Sequence, residues 1–184
     1  MICGSLRSGS SNAAVLQTAQ ALTPDGVAAN IYDELGSLPH FNPDDDEEGK
    51  PVHLAVADLR RQIRAADALL FSTPEYAGAL PGSFKNLLDW TVGGGETYGK
   101  PVAWINASSL ASPTGAADAH NSLRKVLGYT GADIVEAACV RIPIPRQAVA
   151  DGGLIHDPVL RQKIAAAVAG LTGHVESNGA NKLR

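Results

Sequence analysis

The 184-residue chain is poor in cysteine, with only Cys3 and Cys139, and none of its hydrophobic runs approaches the ~20 residues that cross a bilayer. Each cysteine lies in an apolar segment of strand character, which favours a buried free thiol over a disulfide or a nucleophile. The amino terminus also lacks the charged and then apolar segments of a secretory signal. We therefore expect a cytoplasmic protein without a membrane partner.

The sequence also lacks an excess of positive charge, because 15 Lys and Arg residues stand against 19 Asp and Glu residues and the net charge is -4. Proteins that bind nucleic acid usually present a basic face, whereas the basic residues here are scattered, so no nucleic-acid partner is expected. The five histidines show no metal-ligand spacing, and the Gly-x-Ser-x-Gly elbow of many hydrolases is absent. These features disfavour a metal site and hydrolytic chemistry.

Short β-rich segments alternate with longer segments of helical periodicity, which predicts a parallel sheet with helices on both faces. We expect strands at residues 1–3, 27–32, 68–72, 102–106 and 134–142, and helices at 13–22, 51–66, after Pro81, at 116–127 and from Pro158 onward. Segment 35–50 reads as a solvated loop and the tail after Gly173 as loose. A hydrophobic content of 45% suits a single domain, placed at 1–175 and followed by a polar tail at 176–184.

The first predicted strand has only three residues before Gly4, although strands typically run about five. We expect that the natural chain begins upstream of this methionine, and mass measurement of the native cellular protein tests this. In an open parallel sheet, ligands bind at the carboxyl edge, beside the loops that follow the first and third strands.

The first of these loops, residues 4–12, has the composition of an anion-binding cradle. Its glycines let the backbone approach a ligand, its hydroxyl groups can donate hydrogen bonds, and the following helix points its N-terminal dipole at the same place. Arg7 adds a charge-assisted contact. The alternative is that Ser10, Ser11 or Asn12 only caps the helix.

Two common nucleotide motifs are incomplete in this loop. The spacing from Gly4 to Gly9 is that of a P-loop, but Ser10 and Ser11 follow and the lysine of that motif is missing. The third strand also lacks an acidic residue for magnesium, which disfavours ATP or GTP hydrolysis. The dinucleotide fingerprint Gly-x-Gly-x-x-Gly is absent too. A mononucleotide, held by hydroxyls and one arginine, is the ligand that remains.

The second loop, residues 73–78, follows the apolar third strand. Pro74 fixes its backbone and Gly78 permits unusual angles, so the loop can present N–H and C=O groups edge-on to a heterocycle beside Tyr76. Taken singly, these residues also fit an ordinary tight turn and a half-buried tyrosine. Because the anion cradle is expected on the same edge, we favour a planar ligand.

The two loops resemble those of the NADPH-dependent FMN reductase family, which has the flavodoxin-like fold and includes chromate, quinone and azo-dye reductases. The stretch Gly4-Ser5-Leu6-Arg7-x-x-Ser10-x-Asn12 is similar to the family's phosphate loop. Its flavin-ring loop and following helix are similar to Pro74-Glu75-Tyr76-x-Gly78-x-x-Pro81-Gly82-x-x-Lys85-Asn86-x-x-Asp89-Trp90. The resemblance covers nearly the whole chain and implies a five-stranded parallel sheet with strand order 2-1-3-4-5.

This resemblance implies non-covalently bound FMN, NADPH or NADH as the reductant, and a small electron acceptor such as a quinone, free flavin, an azo compound or a metal oxyanion. It also implies a homodimer or homotetramer. The residues that would hold the FMN phosphate are Ser5, Arg7, Ser10, Ser11 and Asn12. Those that would border the ring are Pro74, Glu75, Tyr76, Ala77 and Gly78, with Ser108 and Ser109 on its other side. Because the flavin performs the chemistry, we assign no catalytic acid, base or nucleophile.

The chain departs from the family's pattern at two positions near the expected ring. Ala77 stands where the family often has Asn, so one polar contact is absent. Asp118 stands where it often has Arg, which reverses a charge beside the expected nicotinamide-phosphate contact. Two alternatives to a reductase are an FMN-binding electron carrier or redox-responsive regulator without nicotinamide turnover, and a flavin-free interaction protein. Flavodoxins share the fold, although their phosphate loops are usually Thr-rich and lack arginine.

Overall fold

The computed structural model of the chain describes residues 1–109 and 112–182. Within these residues, strands and helices alternate as the sequence predicts. The strands are β1 (Ile2–Cys3), β2 (Leu69–Ser72), β3 (Pro101–Ser108), β4 (Asp133–Ile134) and β5 (Val140–Pro143). The helices are α1 (Ser11–Ala21), α2 (Leu54–Ala65), α3 (Gly82–Asp89), α4 (Ala117–Tyr129) and α5 (Pro158–Lys182).

The strands form one parallel sheet centred on β2 and β3. Ile2 of β1 lies opposite Phe71 of β2, and β2 pairs in turn with β3. Both β4 and β5 pair with the other edge of β3, β4 near its start and β5 along its last four residues. The carboxyl ends of β1, β2, β3 and β5 therefore open on one edge of the sheet.

Successive side chains of each strand point to opposite faces, so the central strands contribute to two cores. Val102 and Trp104 pack on the face that α2, α3 and α4 cover, whereas Ala103 and Ile105 pack on the face that α1 and α5 cover. Strands buried on both faces are expected to be continuously apolar, as β2 and β3 are. The predicted α/β architecture with helices on both faces is confirmed.

The predicted strand order is not reproduced strand for strand. Segment 27–32 forms no strand and makes a single parallel bridge, from Tyr32 to Ile2. With only two residues in β1, this segment has no long partner to pair with. Segment 134–142 is interrupted at Glu136–Ala138 by a 3-10 turn, which divides it into β4 and β5. Glu and Ala are poor strand formers, and Glu136 forms an ion pair of 2.6 Å with Arg124 of α4.

The tail after Gly173, predicted to be loose, is helical, and the predicted solvated loop 35–50 is held at Asp46. Helix α5 continues to Lys182, and beyond Gly173 His174 contacts Asp133 at 2.7 Å. In the acidic loop, the Asp46 carboxylate accepts a 2.7 Å hydrogen bond from buried Arg60. Long-range polar contacts of this kind leave no periodic signal in the sequence.

Cys3 and Cys139 are partly buried free thiols. Burial raises the pKa of Cys3, and it raises that of Cys139 to about 12. Neither thiol is a strong nucleophile near neutral pH, because the thiolate is the reactive form. In the two described ranges, none of the helices has the length and apolar character needed to cross a bilayer.

Candidate functional site

A cavity of about 540 Å³ opens at the carboxyl edge of the sheet. This volume lies within the range of about 300–1,000 Å³ that is typical of small-molecule sites. The loop after β1, the loop after β2, the end of β3 and the segment after β5 form its walls. The predicted site residues that line it are Ser5, Arg7, Ser10, Ser11, Asn12, Pro74, Tyr76, Ser108 and Ser109.

The first loop is shaped by two glycines. The Gly4 N–H donates a 2.8 Å hydrogen bond to the Ser72 carbonyl, and a Cβ at Gly4 would overlap the Thr73 side chain. Gly9 has a positive φ of 65°, a conformation that favours glycine and turns the chain into α1. The sequence therefore folds the loop tightly over the end of β2.

Ser10 is the N-cap of α1, because its Oγ accepts a 3.2 Å hydrogen bond from the Asn12 N–H. The capping role considered for this residue is thus real. It does not exclude a role in ligand binding, since a hydroxyl that accepts one hydrogen bond can still donate its own proton. The amino end of α1 also adds partial positive charge to the cavity.

Asn12 connects helix α1 to two strands. Its side-chain Oδ1 accepts hydrogen bonds from the Ser72 hydroxyl at 2.8 Å and from the Ala107 N–H at 3.1 Å. Asn12 is only 4% exposed, so these contacts fix the helix end over the carboxyl ends of β2 and β3. The Nδ2 group is the part of this side chain that can donate to a ligand.

The second loop closes with a tight hairpin. Tyr76 and Ala79 exchange backbone hydrogen bonds of 3.0 and 3.1 Å, and the two residues between them both have positive φ, 50° at Ala77 and 70° at Gly78. Two such residues are the signature of a type I′ turn. Pro74 and Tyr76 line the cavity, whereas Ala77 and Gly78 form the turn tip beyond it. Tyr76 is 53% exposed, which leaves its ring accessible.

The Glu75 carboxylate is directed away from the cavity, to the start of α4. Its Oε2 accepts backbone hydrogen bonds from Asp118 at 2.8 Å and Ala119 at 3.1 Å, and its Oε1 accepts from the Thr114 hydroxyl. Partial burial raises the pKa of Glu75, but these hydrogen bonds, with the Arg141 charge, outweigh it and hold the pKa below its ordinary value. Glu75 therefore caps α4 from a distant loop.

One buried polar atom of the cavity wall has no partner within the part of the chain that the structure describes. It is Oγ of Ser108, a residue that is 9% exposed at the end of β3. Buried hydroxyls in folded proteins almost always have a hydrogen-bond partner. An unpartnered hydroxyl at the wall of a cavity is what a polar ligand or a bound water would satisfy.

The segment after β5, residues 144–147, also lines the cavity and is not among the residues predicted for the site. It begins where the Ile144 N–H donates a 2.9 Å hydrogen bond to the Ser108 carbonyl. It could have been anticipated, because the fifth strand of a parallel sheet ends at the same edge and Pro143 and Pro145 stiffen the backbone there. The predicted strand ends at residue 142 and β5 ends at Pro143, so the end of this strand was placed nearly as observed.

A larger cavity, of about 710 Å³, lies at the opposite edge of the sheet, between segment 26–32 and β2. The charged residues in its lining, Arg61, Asp67 and Glu176, are of both signs. We place the candidate site in the smaller cavity because ligands of open parallel sheets bind at the carboxyl edge. Only that cavity combines the amino end of a helix with a buried, unpartnered hydroxyl among the described residues.

The fold defines a flavodoxin-like α/β protein, and comparison with known proteins identifies its family. Residues 1–144 match the model of the NADPH-dependent FMN reductase family, so the chain belongs to that family. It is 39% identical over 165 residues to an NAD(P)H-dependent FMN reductase of Pseudomonas aeruginosa, covering 89% of this chain and 86% of that protein. It is also 34% identical over 137 residues to a quinone reductase of Escherichia coli, covering 73% and 71% of the two chains.

Among solved structures, the flavoenzyme NAD(P)H:(acceptor) oxidoreductase FerB from Paracoccus denitrificans superposes with a TM-score of 0.78 and 29% identity, covering 94% of this chain and 96% of that one. The protein is thus an oxidoreductase that uses FMN as cofactor and NADPH or NADH as reductant. The cavity residues fit this cofactor. A helix N-terminus with Arg7 suits a phosphate, and the unpartnered Ser108 hydroxyl suits a polar group of the ligand.

Proposed function

We propose that the carboxyl-edge cavity binds FMN non-covalently and that the protein transfers electrons from NADPH or NADH to a quinone. The observation that carries this proposal is that two unlike groups of residues line the same cavity. A cationic and hydroxyl-rich loop, with Ser5 and Arg7, lies at the start of α1, and a rigid aromatic segment, with Pro74 and Tyr76, follows β2. A phosphate on a flexible chain joined to a planar ring needs such a pair of subsites.

The protein's contribution in this proposal is binding and orientation. When bound, FMN supplies the hydride and electron chemistry. Arg7 and the Ser10 hydroxyl hold its phosphate at the positive end of α1. Tyr76 borders the ring on the exposed side of the cavity, while buried Ser108 offers a hydrogen bond from the end of β3. Reduction of a quinone by NADPH or NADH also consumes one proton, and we assign no side chain to supply it.

Titration of the apoprotein with FMN, followed by flavin fluorescence, tests the binding step. The wild type should bind FMN and quench its fluorescence, and R7A should bind FMN more weakly. R61A is the matched control, because Arg61 is an exposed arginine on α2 that pairs with its neighbour Asp58. A wild-type protein that binds no FMN would refute the proposal.

The redox step is tested on the holoprotein by anaerobic addition of NADPH or NADH, followed by menadione. We expect the flavin absorbance to bleach and then to return, with steady NAD(P)H consumption when menadione is in excess. If the protein binds FMN but its flavin is reduced far more slowly than a catalytic cycle requires, the electron-carrier alternative is correct. The quinone assignment is supported by relatives that are named quinone reductases.

Other acceptors can be ranked from the charge beside the loop tip. A Cβ built on Gly78 would lie 3.7 Å from Oδ2 of Asp118, so a carboxylate adjoins the second loop. This charge disfavours anionic acceptors, so neutral quinones should react faster than chromate or sulfonated azo dyes.

We also propose that the protein is cytoplasmic, which its free thiols support, and that it forms a homodimer or homotetramer, which the exposed rings of Tyr98 and Tyr129 support. Light scattering of the purified holoprotein measures the assembly.

A further inference from the structure

Arg146 lines the cavity from the segment that follows β5, which is far in sequence from the first loop. This segment is anchored at its start, and the chain that continues from it is anchored at Ile155. Ile144 is 2% exposed and bonded to the Ser108 carbonyl, and Pro145 starts the 3-10 turn Arg146–Ala148. Further along, the N–H of fully buried Ile155 donates a 3.0 Å hydrogen bond to the Thr18 hydroxyl of α1. The wall that carries Arg146 is thus tied to the helix whose amino end faces the cavity.

The cavity is positively charged although the protein is acidic overall. Arg7 and Arg146 are the charged side chains of its described lining, and no Asp or Glu belongs to that lining. Within the part of the chain that the structure describes, neither arginine takes part in an ion pair, whereas Arg60, Arg61, Arg64 and Arg124 all do. Two guanidinium groups on one cavity, without an ion-pair partner among the described residues, favour an anionic ligand.

A phosphate monoester carries a charge of about -1.5 to -2 at pH 7. Arg7 supplies one positive charge, and the amino end of α1 supplies roughly half of one. The first loop therefore matches about 1.5 of these charges and leaves up to about 0.5 unmatched. A second arginine covers this remainder, and Arg146 is the arginine that the fold brings to the cavity.

We propose that Arg146 is a second phosphate-binding residue, so that the phosphate of FMN is held between the first loop and the segment after β5. The inference rests on the proposed binding of FMN in this cavity. It assigns a binding role to a segment outside the two loops that the sequence motifs identify. It also predicts that discrimination between FMN and riboflavin, which lacks the phosphate, depends on both walls of the cavity.

Apoprotein titrations with FMN and with riboflavin, for wild type, R146A, R146K and the control R61A, test this inference. R146A should weaken FMN binding about tenfold, the effect of losing one charge-assisted hydrogen bond of roughly 1.4 kcal/mol. Its riboflavin affinity should change less than twofold. R146K keeps the charge but not the planar set of donors, so its FMN affinity should lie between those of the wild type and R146A. Arg146 is exposed, so these variants should keep the wild-type circular dichroism and melting temperature.

Three results would overturn the inference. If R146A binds FMN as tightly as the wild type but has a raised KM for NADPH, Arg146 serves the reductant instead. If FMN and riboflavin lose affinity equally, the residue acts on the shape of the cavity rather than on the phosphate. A wild-type protein that binds neither flavin refutes the proposed function itself, whereas the first two results leave FMN binding in place.

Discussion

Removal of the Glu75 carboxylate should loosen the contact between helix α4 and the loop that follows β2. Residue Ala116, at the N-cap position of α4, offers no side-chain cap and has a positive φ of 64°. The first backbone N–H groups of this helix are served instead by Glu75, at 2.8 and 3.1 Å. A variant that removes the carboxylate leaves these donors to water and removes a negative charge from the positive end of the helix.

The expected cost can be estimated from these contacts. Loss of a helix N-cap typically costs about 1 kcal/mol, and loss of a favourable charge at a helix end costs about 0.3–1 kcal/mol. We therefore expect E75A to lower the free energy of unfolding by about 1.3–2 kcal/mol. E75Q keeps one oxygen acceptor for the two backbone N–H groups but loses the charge and replaces the oxygen beside Thr114 with an amide donor, to which the Thr114 hydroxyl can turn as acceptor. It should therefore lose about 0.3–1 kcal/mol. For a chain of this size, E75A should melt roughly 3–8 °C below the wild type.

Urea unfolding of the apoprotein at pH 7 measures these differences. E48Q is the matched control, since Glu48 is an exposed carboxylate in the acidic loop, and it should unfold like the wild type. The pH dependence gives a second readout. Because the folded pKa of Glu75 is lowered, its stabilisation is present above the ordinary value of 4.5 and is lost as the pH falls through the folded pKa. The difference in free energy of unfolding between wild type and E75Q should therefore become smaller as the pH is lowered.

An E75Q protein as stable as the wild type at pH 7 would contradict this reasoning, as would a gap that widens on acidification. The flavin titrations distinguish a capping role from direct contact with the ring. If Glu75 acts only as a cap that positions the second loop, E75A should lose affinity for FMN and for riboflavin by the same factor. E75Q should then recover most of that affinity. If E75Q binds both flavins as weakly as E75A although its stability is restored, the carboxylate itself is needed at the ring.

Two further predictions concern residues close to the site. A77N should raise the free energy of unfolding by about 0.5–1 kcal/mol, because Asn tolerates the left-handed conformation of a type I′ turn better than Ala. A79N is the control, since Ala79 lies outside the pair with positive φ, and this variant should not be more stable than the wild type. Trp104 Nε1 donates a 2.8 Å hydrogen bond to Nδ1 of His120, and burial, aided by the Arg124 charge, lowers the pKa of His120. The stabilisation by neutral His120 should be complete above the ordinary pKa of 6.5 and be lost as the pH falls through the folded value. In urea unfolding, the difference in free energy of unfolding between wild type and H120Q should therefore be smaller at pH 5 than at pH 8. An equal or larger difference at pH 5 would contradict this prediction.

The alternation of strands and helices could be predicted because β2 and β3 are continuously apolar and the helices carry periodic apolar faces. The split of segment 134–142 could not, because it depends on Glu136 pairing with Arg124 across space. The two site loops were predicted from glycine, proline and hydroxyl residues that shape a backbone locally. The directions of their side chains were not, because Glu75 is turned outward by the distant end of α4. Arg146 was not predicted because the motifs identify only the loops after the first and third strands, whereas the pairing of β5 with β3 brings the segment after β5 to the same cavity.

The motif residues therefore divide by what they contact, and this division has consequences for experiments. Asn12 and Glu75 use their side-chain oxygens to join elements of the fold, whereas Arg7 and Tyr76 are exposed at the cavity. Substitutions of the first pair should lower stability and should weaken FMN and riboflavin equally, because they move whole walls of the site. Substitutions of the second pair should leave stability nearly unchanged. R7A should lower the affinity for FMN but not for riboflavin, because it affects the phosphate contact, whereas Y76A should lower the affinity for both flavins, because it affects the ring contact. A stability measurement beside each flavin titration is therefore what distinguishes a residue that holds the cofactor from one that holds the cavity.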